Sequence, residues 1–152
     1  MVIGVFDKNG IYFEHPESWQ LTEELWDDDI SALTFEDENG IYMIDIYHAG
    51  KGPELLDYAN KHFSCFKKEL PFLSKVIGDP VITNISVDGV SGLVLEFMVK
   101  SFFLSKTTYL NSIFRVSGQK SISFISAQYP KSEGNELSVG LGQVLASYHA
   151  NE

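Results

Sequence analysis

Val81-Ile82-Thr83-Asn84-Ile85-Ser86-Val87-Asp88-Gly89-Val90-Ser91-Gly92-Leu93-Val94-Leu95-Glu96-Phe97-Met98-Val99-Lys100 is the stretch on which the fold class turns. A run rich in β-branched residues meets an Asp-Gly pair and a second apolar run follows. Asp-Gly between such runs marks a two-residue hairpin, because both turn positions take positive φ, which glycine adopts freely and aspartate tolerates. The second run is apolar on both faces, with Leu93, Leu95 and Phe97 against Val94 and Met98, and so reads as a central strand. Further on, Lys106 to Ser117 reads as a third strand, Gly118-Gln119-Lys120 as a turn and Ser121 to Tyr129 as a fourth strand. Local connections of this kind build an antiparallel sheet.

The flanking segments complete the order. Upstream, Gly50-Lys51-Gly52-Pro53 opens a helix in which Leu55, Ala59, Phe63, Phe66 and Leu70 recur at three and four, and Pro71 stops it. Phe72 to Gly78 follows neither a helical nor a strand period. Two hairpins precede the helix. The first turns at Asp7-Lys8-Asn9-Gly10, and the second at Asp37-Glu38-Asn39-Gly40 between Ile30–Phe35 and Ile41–His48. Trp19 to Leu21 reads as a short strand and Glu23 to Asp29 as a charged loop. Downstream of the loop Pro130–Asn135, the residues Leu137, Leu141, Val144, Leu145 and Tyr148 form the stripe of a closing helix. Gly140 and Gly142 weaken that helix by up to ~1 kcal/mol each and admit a close approach to the sheet. The expectation is one α+β domain over residues 1–152, an antiparallel sheet of about six or more strands flanked by two main helices.

The chain has 152 residues, 44% of them hydrophobic and 13% aromatic, enough for a full core. Residues 1–60 carry 14 acids and two bases, Lys8 and Lys51, whereas 61–152 carry seven acids and nine bases, for a total of −10. An acidic front half repels phosphate backbones and anionic membranes, so nucleic acid is excluded as a partner class. No apolar run approaches the ~20 residues of a membrane span, which argues against stable membrane insertion. The single cysteine, Cys65, forms no intrachain disulfide, and the N-terminal residues lack the pattern of a secretory signal; both point to the cytoplasm.

The sequence spells out no catalytic motif and no cofactor. Gly140-Leu141-Gly142 lacks the third glycine of a dinucleotide fingerprint and lies in a helical stripe. Gly89-Val90-Ser91-Gly92-Leu93 fails the nucleophile-elbow pattern at Leu93. Cys65 stands one helical turn from His62 but beside the apolar stripe, and is expected to be buried or inert. His15, His48, His62 and His149 show no zinc spacing, and Asp27-Asp28-Asp29 lacks the glycine and closing glutamate of a calcium loop, so no metal site is expected. Asn84-Ile85-Ser86 matches a glycosylation sequon inside a strand and reads as accidental.

Two features point to binding. Residues 23–38 hold eight acids and no base, with Trp26 beside Asp27, Asp28 and Asp29, an aromatic set in a charged rim. The consecutive Phe102, Phe103 and Leu104 cannot all be absorbed by one sheet face. Two helices leave part of so apolar a sheet uncovered, and a strip of that kind closes by dimerising or by receiving an apolar peptide. These seven residues are the candidate partner-binding set. The expected partner is a protein with an apolar or basic segment, a second copy of the chain included. A small-ligand carrier, or an enzyme joining His15 or His62 to carboxylates in space, are the other readings.

The opening Gly10-Ile11-Tyr12-Phe13-Glu14-His15-Pro16-Glu17-Ser18-Trp19 resembles the start of the PsbP-like superfamily, where a strand is followed by proline and a Gly- or Ser-Trp pair. The element order is similar too, and the DcrB-like bacterial branch is the nearest in pattern. The resemblance implies an antiparallel sheet flanked by helices and a binding protein without a catalytic centre. It implies a role like that of the superfamily's Ran-binding import factor or its Eag-type chaperones for type VI secretion effectors. It transfers no site onto named residues.

Overall fold

The computed structural model describes residues 2–101 and 105–151, and of residues 135–138 the backbone alone. In chain order the elements are β1 (Ile3–Lys8), β2 (Ile11–Pro16), β3 (Gln20–Leu25), β4 (Ile30–Glu36), β5 (Ile41–Tyr47), α1 (Leu55–Lys68), β6 (Lys75–Val87), β7 (Val90–Lys100), β8 (Lys106–Ser117), β9 (Ile122–Pro130), α2 (Gly134–Ser147) and β10 (His149–Ala150). Among the described residues the strands form a seven-stranded sheet ordered β3-β4-β5-β9-β8-β7-β6 and a small sheet ordered β1-β2-β10. Every pairing is antiparallel. The fold is therefore the α+β class that the periodicities predict.

The turns form for the expected reason. Asn9 and Gly10 have φ of 52° and 80°, and Asp88 and Gly89 have 51° and 81°, the paired positive values that match the twist of the flanking strands. In the β4–β5 turn the Asp37 carboxylate accepts the backbone N–H of Asn39 and of Gly40, each at 2.9 Å, and so replaces bonds a tighter turn would make itself. Helix α1 buries Tyr58, Ala59 and Phe63, and Lys67 and Lys68 complement the negative end of its dipole.

Three expectations need correction. Gln20–Leu25 is a strand although its residues are all exposed, and the loop shrinks to the residues after Leu25; an edge strand tolerates charge on both faces. The stretch that is buried on both faces is β9, with residues 121–127 all buried, whereas β7 lies next to the edge strand β6. The N-terminal half returns through β5 to pair with β9, a long-range pairing that local periodicity does not encode. Cys65 is exposed and not buried, because the stripe of α1 turns Tyr58, Ala59 and Phe63 inward and carries position 65 past the contact.

The large sheet separates two cores. On one face Leu33, Phe35, Tyr42, Ile44, Ile46, Phe114 and Ile125 pack under α2 and the small sheet, which contribute Leu141, Val144, Phe6 and Phe13. On the other face Leu93, Leu95, Phe97, Ile113 and Phe124 pack under α1. The cover is staggered. Helix α1 lies on β7, β8 and, through the Tyr58–Phe124 ring stack at 4.0 Å, on β9, while α2 lies on β2 and β9. The α1 face of β3–β5 and the far end of the α2 face of β6–β8 are left open: Leu25 is 58% exposed at the first and Val81 62% at the second.

Gly140 seats α2 where a side chain does not fit. A Cβ there would meet Pro16 Cγ at 2.8 Å and Trp19 Cζ2 at 3.2 Å, whereas one at Gly142 meets nothing within 4 Å. The two glycines therefore respond oppositely to alanine. Gly140→Ala is expected to destabilise by about 1–3 kcal/mol through overpacking against a rigid ring. Gly142→Ala is expected to stabilise by about 0.5–1 kcal/mol through helix propensity alone. Urea denaturation of the two variants checks this, and equal shifts in one direction would refute the packing of α2.

Candidate functional site

The acids of residues 23–38 lie on the β3–β5 side of the large sheet in two groups at opposite ends of β4, one running from Glu23 through Asp29 to the β3–β4 connection and the other, Glu36 to Glu38, at the β4–β5 turn. Glu24 is the member that finds a cation: Lys8 Nζ lies 2.8 Å from its Oε1, and Trp26 Nε1 donates to the same oxygen at 2.9 Å. The Lys8 and Trp26 hydrogen bonds hold this carboxyl below the usual glutamate range. Trp26 is half-buried, with its ring stacked 6.4 Å from Phe6 and packed against the core. Its edge faces the rim and its body belongs to the fold.

Asp27, Asp28 and Asp29 are exposed, and their loop is held through its backbone. Ser31 Oγ donates to the Asp27 carbonyl at 3.3 Å and lies 2.8 Å from His48 Nε2, while the His48 backbone N–H donates to the Asp29 carbonyl at 2.9 Å. Asp28 N–H donates to Asp27 Oδ1 at 2.7 Å. Among the described residues no cation pairs with Asp27, Asp28 or Asp29. The result is a rigid loop that presents carboxylates outward beside the exposed Leu25 and Ile30, which lie on the open face of β3 and β4. Phe102, Phe103 and Leu104 lie outside the described residues, so the structure does not show them beside this loop.

Two clefts flank the Glu36–Asn39 turn, one on each face of the sheet. A cleft of about 1000 Å³ runs between that turn, Trp19, Gln20, Thr22 and Gly140; a second of about 450 Å³ lies between the turn, Phe66, Leu70, Tyr109 and Gln128. The wall they share is fixed by Asp37, to which the Tyr42 hydroxyl donates at 3.1 Å, and by Trp19 stacked on Tyr42 at 3.7 Å. Burial and the Asp37 charge push the Tyr42 phenol far above its ordinary range, so it stays a donor.

The chemistry of these groups is limited. The Ser31–His48 contact has the atoms of a nucleophile and its base, but Ser31 is 1% exposed and Asp27 offers a carbonyl, not a carboxylate. It is an anchor for the loop. On the α1 face Tyr58 donates to Asp45 Oδ2 at 2.5 Å, and His62 packs 5.7 Å from the Tyr58 ring. Burial and Asp45 raise the Tyr58 phenol well above its ordinary value. Among the described residues no three His, Cys, Asp or Glu side chains are placed to hold a metal ion. No helix among them is long and apolar enough to cross a membrane. Sequence reading missed the Ser31–His48 anchor and the Asp45–Tyr58–His62 cluster, since both join residues whose proximity depends on strand register.

The chain matches no protein-family model and no curated protein. Among solved structures it is similar to a protein of Bacteroides thetaiotaomicron VPI-5482 known from a 1.50 Å crystal structure (TM-score 0.56, 12% identity). That match covers 94% of this chain and 46% of the other, so the chain spans about half that protein's length. It is also similar to cyanobacterial PsbP, CyanoP, of Synechocystis sp. PCC 6803 (TM-score 0.59, 12% identity, 98% of this chain and 92% of that one). A third likeness is to the Saccharomyces cerevisiae Ran-binding protein Mog1p (TM-score 0.52, 13% identity, 99% and 96%). At these identities the likeness is one of fold, and the fold is PsbP-like.

Burial holds the His62 imidazole below its ordinary value, against the opposing pull of Asp45 and Glu69. The folded chain therefore favours neutral His62, and the unfolded chain takes up the proton first as pH falls. The contribution is full above about pH 6.5 and is lost as pH drops through the lower folded value. The urea midpoint is expected to fall between pH 7.5 and 5.5, and to fall less in His62→Gln. An identical pH dependence in the variant would remove His62 from the buried cluster.

Proposed function

We propose that the chain is a non-catalytic protein-binding module that takes a basic, apolar segment of another protein on the open half-face of β3–β5. The observation that carries this reading is the pairing of the exposed apolar side chains Leu25 and Ile30 with the carboxylates of Asp27, Asp28 and Asp29, which pair with no cation among the described residues, on a loop fixed by its backbone; exposed Ile41 extends the same face at the far end of β5, beside Glu36. A rigid acidic rim around an apolar patch steers a basic partner and then buries its apolar residues. Trp26, with its ring edge at the rim, contributes to the contact, and Phe102, Phe103 and Leu104 are proposed as further contacts.

The form of this role that fits the PsbP-like fold is a cytoplasmic chaperone or adaptor, in the DcrB-like and Eag-type manner. Mog1p, a Ran-binding protein on the same fold, supports protein recognition as the kind of activity involved. A second reading, a small-ligand carrier, is favoured by the cleft of about 1000 Å³ beside Trp19, a size at the upper end of small-molecule sites. Native mass spectrometry tests it, since a carrier retains a bound mass that Gln20→Trp, narrowing the cleft from its exposed β3 wall, expels.

The main reading is tested by cross-linked capture from the native host, comparing the wild-type chain with an Asp27→Lys/Asp28→Lys/Asp29→Lys variant of unchanged circular dichroism. A captured protein carrying an apolar stretch flanked by Lys or Arg, and reduced about tenfold or more by the variant, is the expected result. Equal capture by both chains would overturn it.

A further inference from the structure

The opposite end of the sheet carries the opposite charge. Lys75 of β6 faces Lys100 of β7, and Lys100 faces Lys106 of β8, in the ladders that join the three strands. Paired residues on neighbouring antiparallel strands lie about 4.5–5.5 Å apart between Cα atoms, so the row spans about 10 Å. Strand alternation puts it on the α2 face, two residues along from Ile77 and Met98. None of the three lysines forms a salt bridge with a carboxylate among the described residues. Like charges directly opposite are unfavourable in a sheet, and folding alone gains nothing from this row.

The row borders the second open half-face. Ile77 is 38% exposed and Val81 62%, and Met98 beside them is half-buried. The same strand, β6, ends the sheet, so one side of its backbone has no strand partner among the described residues. From Val81 to Val87 that edge carries neither a charge nor a proline, and the register break of β6 with Asp79 and Pro80 is confined to the residues between this half and Ile77; the opposite edge, β3, carries Glu23 and Glu24 and a register break within its paired length. Charge, proline and bulges are the devices that keep an edge from pairing, and this half of β6 lacks them.

We infer that β6 and the lysine row form a second docking surface, which takes an extended, apolar segment of another polypeptide with carboxylates at the end that meets Lys75, Lys100 and Lys106. Backbone pairing on the edge holds the segment, Ile77, Val81 and Met98 receive its apolar side chains, and the ammonium groups fix its direction. A polypeptide fits better than an anionic membrane, because a lipid surface offers no strand to pair with the edge and is repelled by a chain of net charge −10. The inference rests on the reading of the chain as a protein-binding module and extends it to a surface of opposite charge.

Fluorescence anisotropy with two labelled peptides tests it. Both are about ten residues long, the length of a strand, and alternate valine with threonine; one ends in a run of aspartates and the other in lysines. The aspartate-ended peptide is expected to bind about tenfold or more tighter, and less so at high salt. Lys100→Glu should weaken it by about tenfold while raising the thermal midpoint, since it turns two repulsions into attractions. If Lys100→Glu fails to fold, Lys100→Gln serves with a smaller loss.

Equal affinity for the two peptides, or an affinity unchanged in a folded Lys100 variant, overturns the inference. So does uptake by vesicles with about 30% phosphatidylserine when the aspartate-ended peptide does not bind. Failure here, with capture still lost in the Asp27–Asp29 variant, leaves the acidic half-face as a binding surface and removes this one alone.

Discussion

Seven strands are too wide for the cover this chain can make. At about 4.8 Å between strands the sheet is about 29 Å across, while a helix with its side chains is 10–12 Å in diameter and shields two or three strands. Each face receives one helix, and the small sheet adds cover on the α2 side. With α1 placed on β7–β9 and the small sheet and α2 placed toward β3–β5 and β9, the uncovered areas fall on opposite faces at opposite ends. Both the fold's two cores and its two open half-faces follow from that offset. Moving α1 toward β5 would cover one of them at the expense of the Phe63–Phe97 contact, whose rings lie 5.0 Å apart.

Charge follows the same division. The chain segment up to residue 60, with 14 acids, supplies β3, β4 and β5; the later segment, with nine bases, supplies β6, β7 and β8. Antiparallel pairing of β5 with β9 joins the segments at the middle of the sheet, so an imbalance along the sequence becomes an imbalance across the molecule. Fields of opposite sign at the two ends act mainly on encounter and orientation of partners. The buried phenols of Tyr42 and Tyr58 and the half-buried His62 serve as donors and packing elements between these ends, and each is tied to a neighbouring aspartate by a hydrogen bond or by charge.

Much of this was legible in the residues. Asn9-Gly10 and Asp88-Gly89 turn as their positive φ values require, and both helices stand on the apolar stripes that announce them. The Gly10–Trp19 opening pointed to the PsbP-like fold that the solved structures share. What stayed hidden depends on register and edges. Counting back from the Asp88-Gly89 turn pairs Lys100 with Ile77; the irregularity between Ile77 and Val81 shifts that pairing by two, and Lys75 arrives opposite instead. Gly78-Asp79-Pro80 signals a break but not its size. Glu23 to Leu25 reads as part of a charged loop because an edge strand carries charge without penalty, whereas it continues the strand that starts at Gln20, and the Ser31–His48 anchor follows only once Ser31 pairs with Ile46.

The staggered cover is tested most directly by thiol accessibility in dilute, isolated protein. In a Cys65→Ser background, single cysteines at Ile30, Val81 and Leu95 probe the two open half-faces and the core beneath α1. Labelling by a small maleimide at positions 30 and 81, at rates near those of an exposed thiol, with position 95 protected by orders of magnitude, is the expected result. Protection of both 30 and 81 in the folded monomer would mean that the sheet is sealed on both sides, and would contradict the two open surfaces.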